Sequence, residues 1–270
     1  MATTDKLFAG SIPEIYDRLL VPLIFEAYAR DLAERLAKTQ PRDLLETAAG
    51  TGVLTRAVTS RLPASRRIVA TDLNQPMLDR AKARLPGDGR IEWKQADALS
   101  LPFDDQSFDA VACQFGVMFF PDRIAGYQET RRVLRPGGHF IFNVWDRISE
   151  NDFANTITEA LADVFPDDPP RFLARMPHGY HDVDSVRADL SAAGLATVST
   201  DAMDSRSRAA SARNVAVAYC QGTPLRNEIE ARDVARMEEA TTKAAEALAR
   251  QFGNGPVDGR IRAFVITAQR

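Results

Sequence analysis

Leu44-Leu45-Glu46-Thr47-Ala48-Ala49-Gly50-Thr51-Gly52 is an apolar run that ends in an acid and passes through small residues into a helical pattern beginning at Val53. A short apolar run bounded by glycines reads as a buried strand, and small residues in the turn after it let a ligand approach the backbone closely. Alone, such a turn serves equally well as a structural tight turn. The flanking sequence adds two further signals. Val69-Ala70-Thr71-Asp72 is a second apolar run ending in an acid, about 20 residues past the glycines, where a carboxylate can accept from both hydroxyls of a ribose. It can also cap the helix that follows. Lys94-Gln95-Ala96-Asp97-Ala98 sets a third acid just after a third strand, where an adenine edge lies if a ribose sits over Asp72. Taken alone, Asp97 is an ordinary loop acid.

Outward from these segments the chain alternates. Strands are expected at Asp43 to Glu46, Arg67 to Asp72, Ile91 to Gln95, Phe108 to Phe115 and His139 to Trp145. Helices are expected at Val53 to Leu62, Pro76 to Leu85 and Pro121 to Leu134, with a turn at Arg135-Pro136-Gly137-Gly138. Strands joined by crossover helices build a parallel sheet with helices on both faces. Before it, Ile15, Leu19, Phe25, Tyr28, Leu32 and Leu36 recur at helical spacing, with Pro22 marking a break between two helices. After Trp145 the rhythm changes. Residues 150 to 165 and Asp182 to Ala193 read as helices, the latter capped by Asp182 and ended before Gly194. Leu195 to Thr200 reads as a strand, Arg208 to Cys220 as a short helix, and Leu225 to Phe252 as one long amphipathic helix. Arg260 to Thr267 closes as a strand after Gly253-Asn254-Gly255-Pro256.

At 270 residues the chain can bury a full core as one large domain, or as a core carrying an insertion. A net charge of -3 gives no field for collecting polyanions, so nucleic acid is disfavoured as a partner. Cys113 and Cys220 lie far apart, outside any CxxC or Cys/His cluster, which predicts free thiols and no structural metal. Met1 to Gly10 lacks the apolar run of a signal peptide, and no segment has the length of apolar residues that spans a bilayer. Cytoplasmic location is the expectation.

Together the acids at successive strand ends resemble the class I S-adenosylmethionine-dependent methyltransferases, in particular the small-molecule enzymes related to ubiquinone and menaquinone methyltransferases. The resemblance runs from Leu44 to Trp145. It rests on the Glu46 to Gly52 loop, Asp72-Leu73-Asn74-Gln75-Pro76-Met77-Leu78, Gln95-Ala96-Asp97-Ala98, Phe108-Asp109-Ala110-Val111 and Leu134-Arg135-Pro136-Gly137-Gly138, in the family's order. It implies an α/β fold: a Rossmann-like sheet with helices on both faces, N-terminal helices and an inserted, mainly helical cap. The expected divisions are an N-terminal cap over 1–40, a cofactor core over 41–146, a cap or acceptor region over 147–258 with a strand returning near 195–200, and a final core strand over 259–270.

The resemblance further implies that Glu46 and the backbone of Ala48, Gly50 and Gly52 hold the methionine part of S-adenosylmethionine. Asp72 would hold its ribose and Asp97 its adenine amine, with Leu73, Met77 and Ala98 framing the ring. Gln114 and Phe115 would lie beside the reactive methyl, and Tyr16 would fold over the cofactor, whose product is S-adenosylhomocysteine. The family commonly has glycine where this chain has Ala48, which is tolerable provided that backbone does not need a positive φ. A nicotinamide-dependent oxidoreductase is the rival, but Thr55 replaces the third glycine of its fingerprint and it has no use for Glu46. A non-catalytic cofactor-binding subunit on the same fold is a third reading.

For the acceptor, Gln114-Phe115-Gly116-Val117-Met118-Phe119-Phe120-Pro121 has no motif for a nucleobase amine, and two of its four large apolar side chains are expected in the core. Phe115, Phe119 and Tyr180 are the expected substrate contacts, for a small apolar or lipid-like molecule. No triad of oxygen ligands for a metal is visible. His139 reads as a sheet residue. His178 and His181 bracket the loop Pro177-His178-Gly179-Tyr180-His181-Asp182 and are candidate bases for a hydroxyl acceptor, or supports for the next helix.

Overall fold

A computed structural model describes Gly10 and residues 12–270. The expectation for Met1 to Gly10 therefore lies outside the described residues, except at Gly10. Seven strands form one sheet: β1 (Asp43–Glu46), β2 (Arg67–Asp72), β3 (Ile91–Gln95), β4 (Phe108–Gln114), β5 (Leu134–Trp145), β6 (Ala196–Ala209) and β7 (Val257–Gln269), in the order β3-β2-β1-β4-β5-β7-β6. The pairs β3-β2, β2-β1, β1-β4 and β4-β5 are parallel, as the crossover pattern requires. β7 runs antiparallel to β5, since Gly137 N donates to Arg270 O and Arg270 N to Gly138 O, while Asp146 N donates to Arg262 O. The strand order reverses between β1 and β4, and open α/β sheets bind ligands beyond the carboxyl ends at such a reversal.

Two compact units emerge from the contacts. One comprises Glu26–Val144, Tyr180–Met203 and Ala263–Arg270; the other comprises the residues up to Phe25, Trp145–Gly179 and Asp204–Arg262. In the first, register places Leu44 and Glu46 on the face of Ala110 and Ala112, opposite Ile141. Helix Glu26–Thr39 and helix Val53–Thr59 cover that face with Leu32, Leu36, Leu54 and Val58, all fully buried. On the other face Phe140 and Phe142 stack at 4.6 Å and meet Tyr127 of helix Arg123–Val133. Strand alternation thus gives each face its own core.

In the second unit, helix Ala212–Gly222 packs on helix Met237–Phe252 and on Tyr16–Phe25, while helix Asp152–Val164 meets Met237–Phe252 through a Phe153–Phe252 edge contact at 5.0 Å. A methyl on Gly222 would lie 2.9 Å from Ile15 Cγ2, so glycine sets the closeness of that helix crossing. Among the described residues no helix is long and apolar enough to cross a membrane.

Four elements differ from expectation. Pro22 does not separate two helices: Tyr16–Phe25 is a π-helix joining Ile12–Ile15 to Glu26–Thr39, and only the α register is lost around the residue that has no N–H to give. The Arg135 to Gly138 turn is a bulge inside β5, where the pairing steps from Phe108↔Leu134 to Ala110↔His139 and Gly137 takes φ 78°. The strand expected at Leu195 to Thr200 continues to Ala209, absorbing the start of the helix expected from Arg208; Arg206 and Arg208, two apart and so on one face, both pair with Asp258 of β7. The long helix of Leu225 to Phe252 is two, Leu225–Asp233 and Met237–Phe252, divided where the Asp233 carboxylate accepts from Ala235 N at 2.9 Å.

Candidate cofactor site

The carboxyl ends of β1, β2 and β4 carry the expected acids and loop within one unit. Glu46 is 2% exposed, and its Oε2 accepts from Thr55 Oγ1 at 2.6 Å across the first turn of helix Val53–Thr59. Burial disfavours the charged carboxylate and pushes its pKa up to about 8; the Thr55 hydroxyl and the Arg56 charge oppose that shift, and Asp72 adds to it. A buried acid in this state gains most from a cation brought to it. Thr55, read in the sequence only as a missing glycine, is the residue that holds this acid. The signal available was its place one helical turn inside the loop.

The loop between has left-handed backbone at Ala48 (φ 52°), Gly50 (φ 56°) and Gly52 (φ 76°). The proviso attached to Ala48 therefore fails: its backbone does take a positive φ, a conformation that costs a residue with a Cβ roughly 1–2 kcal/mol. Its methyl fixes a neighbour, since a Cβ on Gly116 would lie 2.5 Å from Ala48 Cβ and 2.6 Å from Cys113 Sγ. Gly116 is thus where the loop after β4 meets the loop after β1.

Asp72, buried, spans the loop and its own turn. Its Oδ2 accepts from Gly50 N at 2.8 Å and its Oδ1 from Asn74 N at 2.8 Å. Burial raises its pKa, and these backbone donors pull against the rise. Oδ1 also accepts from Asn74 Nδ2 at 3.4 Å, while Oδ2 has lone-pair capacity beyond its bond from Gly50. Asp72 does not cap the next helix, Gln75–Arg84, whose N-cap is Asn74. Leu73 stands 44% exposed beside it, unusual for leucine and suited to a ring laid against it, whereas Met77 is buried. Asp97 is exposed, with Leu99 N donating to its Oδ1 at 3.0 Å, and Ala98 beside it is half-buried.

At the end of β4, Gln114 and Phe115 are buried. Phe115 has φ 51°, its N–H donates to Asn143 Oδ1 at 3.0 Å, and its ring meets Tyr28 edge-on at 5.2 Å. Asn143, fully buried at the level of Gln114, was missed in the sequence; its mark there is a lone amide in the apolar run Phe140-Ile141-Phe142-Asn143-Val144. Met118 and Phe120 are core residues, and Phe119 is half-buried.

Tyr180 lies on the opposite face of the sheet, with its hydroxyl donating to Asp189 at 2.6 Å, Tyr127 donating to it at 3.4 Å and Arg123 over its ring at 4.0 Å, a helix-to-helix polar seam. Tyr16 and His178 belong to the other unit, and His181, half-buried, stays in the first. Cys113 and Cys220 are free and buried, and no group of three metal-ligating side chains occurs among the described residues.

A family model described as a methyltransferase domain matches residues 45–142. The chain is 42% identical over 97 residues to a demethylmenaquinone methyltransferase of Clavibacter sepedonicus, covering 36% of this chain and 38% of that protein. It is 39% identical over 100 residues to the ubiquinone/menaquinone biosynthesis C-methyltransferase UbiE of Hahella chejuensis, covering 36% and 40%. The chain thus spans about two fifths of the length of these relatives. With solved structures the likeness is one of fold. A SAM-dependent methyltransferase structure from Methanosarcina mazei aligns with TM-score 0.51 at 17% identity over 84% of this chain and 92% of that one. The [4+2]-cyclase SpnF aligns with TM-score 0.58 at 20% identity over 91% and 81%.

Proposed function

We propose that this protein transfers a methyl group from S-adenosylmethionine to a small apolar acceptor, and that Glu46, Asp72 and the 48–52 loop hold the cofactor. The observation that carries the reading is the buried, charge-starved Glu46, nine residues before its hydroxyl donor and one strand from Asp72. An α-ammonium group supplies the cation this carboxylate lacks, and a ribose supplies hydroxyls that donate to the Asp72 carboxylate. A nicotinamide dinucleotide brings no cation to Glu46. When bound, S-adenosylmethionine supplies a methyl group already activated by its sulfonium charge.

The protein's own part is alignment and exclusion of water. Asp72 ties the loop to β2 through Gly50, Phe115 is fixed by Asn143 and Tyr28, and Leu73 offers an apolar plane. Acceptor choice falls to residues outside the matched domain, above all the 147–258 segment and the N-terminal helices, so the quinones named for the relatives do not carry over with the domain. A small molecule is the partner class; nucleic acid is not favoured by the charge. The cytoplasm is the compartment in which such an enzyme with two free thiols would work.

Calorimetry with S-adenosylhomocysteine tests the reading. The wild type should bind it and leave NAD unbound. Asp72→Ala should bind it at least about tenfold more weakly, since a hydrogen bond to a charged group is worth roughly 1.5–3 kcal/mol. Binding of NAD, or unchanged affinity in a folded Asp72→Ala protein, would overturn it. Transfer of labelled methyl to acceptors fractionated from a cell extract then separates an enzyme from a binding subunit.

A further inference from the structure

β4 ends in a turn that reverses its own alternation. Side chains along the strand alternate between faces, so Phe115 would follow Cys113 to the side of Phe140 and Phe142. Its backbone takes φ 51° instead, and its ring meets Tyr28 of helix Glu26–Thr39, which covers the other face. A second left-handed residue lies close by. Ala48 takes φ 52°, and Gly116 separates the two with no room for a Cβ, which would lie 2.5 Å from Ala48 Cβ. Two of the four residues that carry a side chain at positive φ, among the described residues, thus flank the junction of the loops after β1 and β4. Such strain persists only where its surroundings over-determine it, and it collects at active sites.

The Phe115 turn is held by a side chain from the next strand. Phe115 N donates to Asn143 Oδ1 at 3.0 Å, and because an N–H only donates, the amide atom facing it is the oxygen. The other half of the amide is idle. Asn143 is fully buried, and its Nδ2 has no hydrogen-bond partner. A buried donor left unmet destabilises a fold, whereas leucine, with the same branching, would add only apolar surface to the run Phe140-Ile141-Phe142 and Val144. Stability alone therefore disfavours asparagine here, and the bond to Phe115 is the one service its amide performs.

We propose that Asn143 is a positioning residue of the methyl-transfer site, kept at a cost in stability. Its Oδ1 fixes the left-handed turn at Phe115; the turn sets Gly116 against Ala48 and so holds the loop after β1 in the conformation that takes the cofactor. Asn143 acts through Phe115 and Gly116 rather than on the ligand itself. Without its amide oxygen, Phe115 relaxes towards ordinary backbone, its ring leaves Tyr28, and Gly116 withdraws from Ala48. The inference rests on the methyl-transfer reading, which assigns the 48–52 loop to S-adenosylmethionine.

Two substitutions separate this role from ordinary packing. Asn143→Leu removes the acceptor and the unmet donor together. It should melt no lower than the wild type, lose hydrogen-exchange protection at the Phe115 amide, and bind S-adenosylhomocysteine about threefold to tenfold more weakly by calorimetry. Asn143→Asp keeps an oxygen for Phe115, and at about pH 6 burial holds its carboxyl neutral. Against the wild type at the same pH it should retain the amide protection, and the affinity to within about twofold. An asparagine that serves packing alone gives the reverse split, a lower melting temperature with affinity unmoved. The proposal is overturned by an Asn143→Leu protein that melts several degrees lower or does not fold, by one that binds as the wild type does, or by an Asn143→Asp protein that binds as weakly as Asn143→Leu. A wild type that binds no S-adenosylhomocysteine sinks the methyl-transfer reading and this role with it; a wild type that binds, matched by Asn143→Leu, sinks this role alone.

Discussion

Glu46 turns cofactor binding into a function of pH. Its folded carboxyl holds its proton up to about pH 8, against an ordinary 4.5, because it is buried with one hydroxyl donor. Between those values the folded chain binds more protons than the unfolded one, so this group's contribution to stability falls as pH rises through that window and is flat above it. The ligated state has the opposite preference, because an ammonium partner needs the carboxylate. Affinity for S-adenosylhomocysteine should therefore climb as pH rises from about 6 to about 8, by at most about tenfold per unit, and level off beyond. Glu46→Gln should bind weakly with no such slope, and calorimetry across the range decides it. A second pair of residues is coupled sterically. Gly116→Ala should destabilise by about 1–3 kcal/mol through overpacking against Ala48 and Cys113. Ala48→Gly should be close to neutral alone, because relief of the left-handed strain is offset by the greater freedom of the unfolded chain. It should recover part of the Gly116→Ala loss in the double variant, and additive losses by denaturant titration would contradict the contact. Enlarging Gly116 thus acts on the cofactor loop.

Elements were legible where a pattern had one cause. β1 to β5 and their crossover helices announced themselves because buried parallel strands are apolar on both faces and end in the acids that matter. The helix Val183–Ala192 was readable from its Asp182 cap and Gly194 stop, and both are in place, with Asp182 accepting from Ser185 N and Gly194 at φ 78°. β6 was not, because a half-exposed strand bonded through Arg206, Arg208 and Asp258 carries no apolar alternation. An aromatic residue in a loop looks the same in sequence whether it faces a ligand or, as Tyr180 does, bonds to two neighbouring helices. Asn143 and Thr55 went unread because their roles depend on a partner far off in sequence. The division of the last two helices was written in Asp233, whose carboxylate caps the turn that follows it. Asp233→Ala should remove that cap at a cost of about 1 kcal/mol and lower the thermal midpoint by a few degrees, leaving S-adenosylhomocysteine affinity unchanged. An unaltered midpoint would show that packing alone ends helix Leu225–Asp233.

At the scale of the whole molecule, the chain passes between its two units five times, after Phe25, Val144, Gly179, Met203 and Arg262. The matched domain is therefore not a detachable cassette. A fragment of residues 41–146 loses Leu32 and Leu36 from one face of the sheet and Val265 from β7. It should show little cooperative melting and self-associate in size-exclusion chromatography through the bared edge of β5. A monomeric fragment with a sharp melt would refute that dependence. The place of β7 also sets a timetable. Of the seven strands it leaves the ribosome last, yet its seat is inside the sheet, between β5 and β6. Until it arrives, a nascent chain carries the apolar edge of Leu134–Trp145 uncovered through more than a hundred residues of further synthesis. Fast translation over that stretch, or a holdase that masks the edge, should raise the soluble yield of this protein more than any change made to its site.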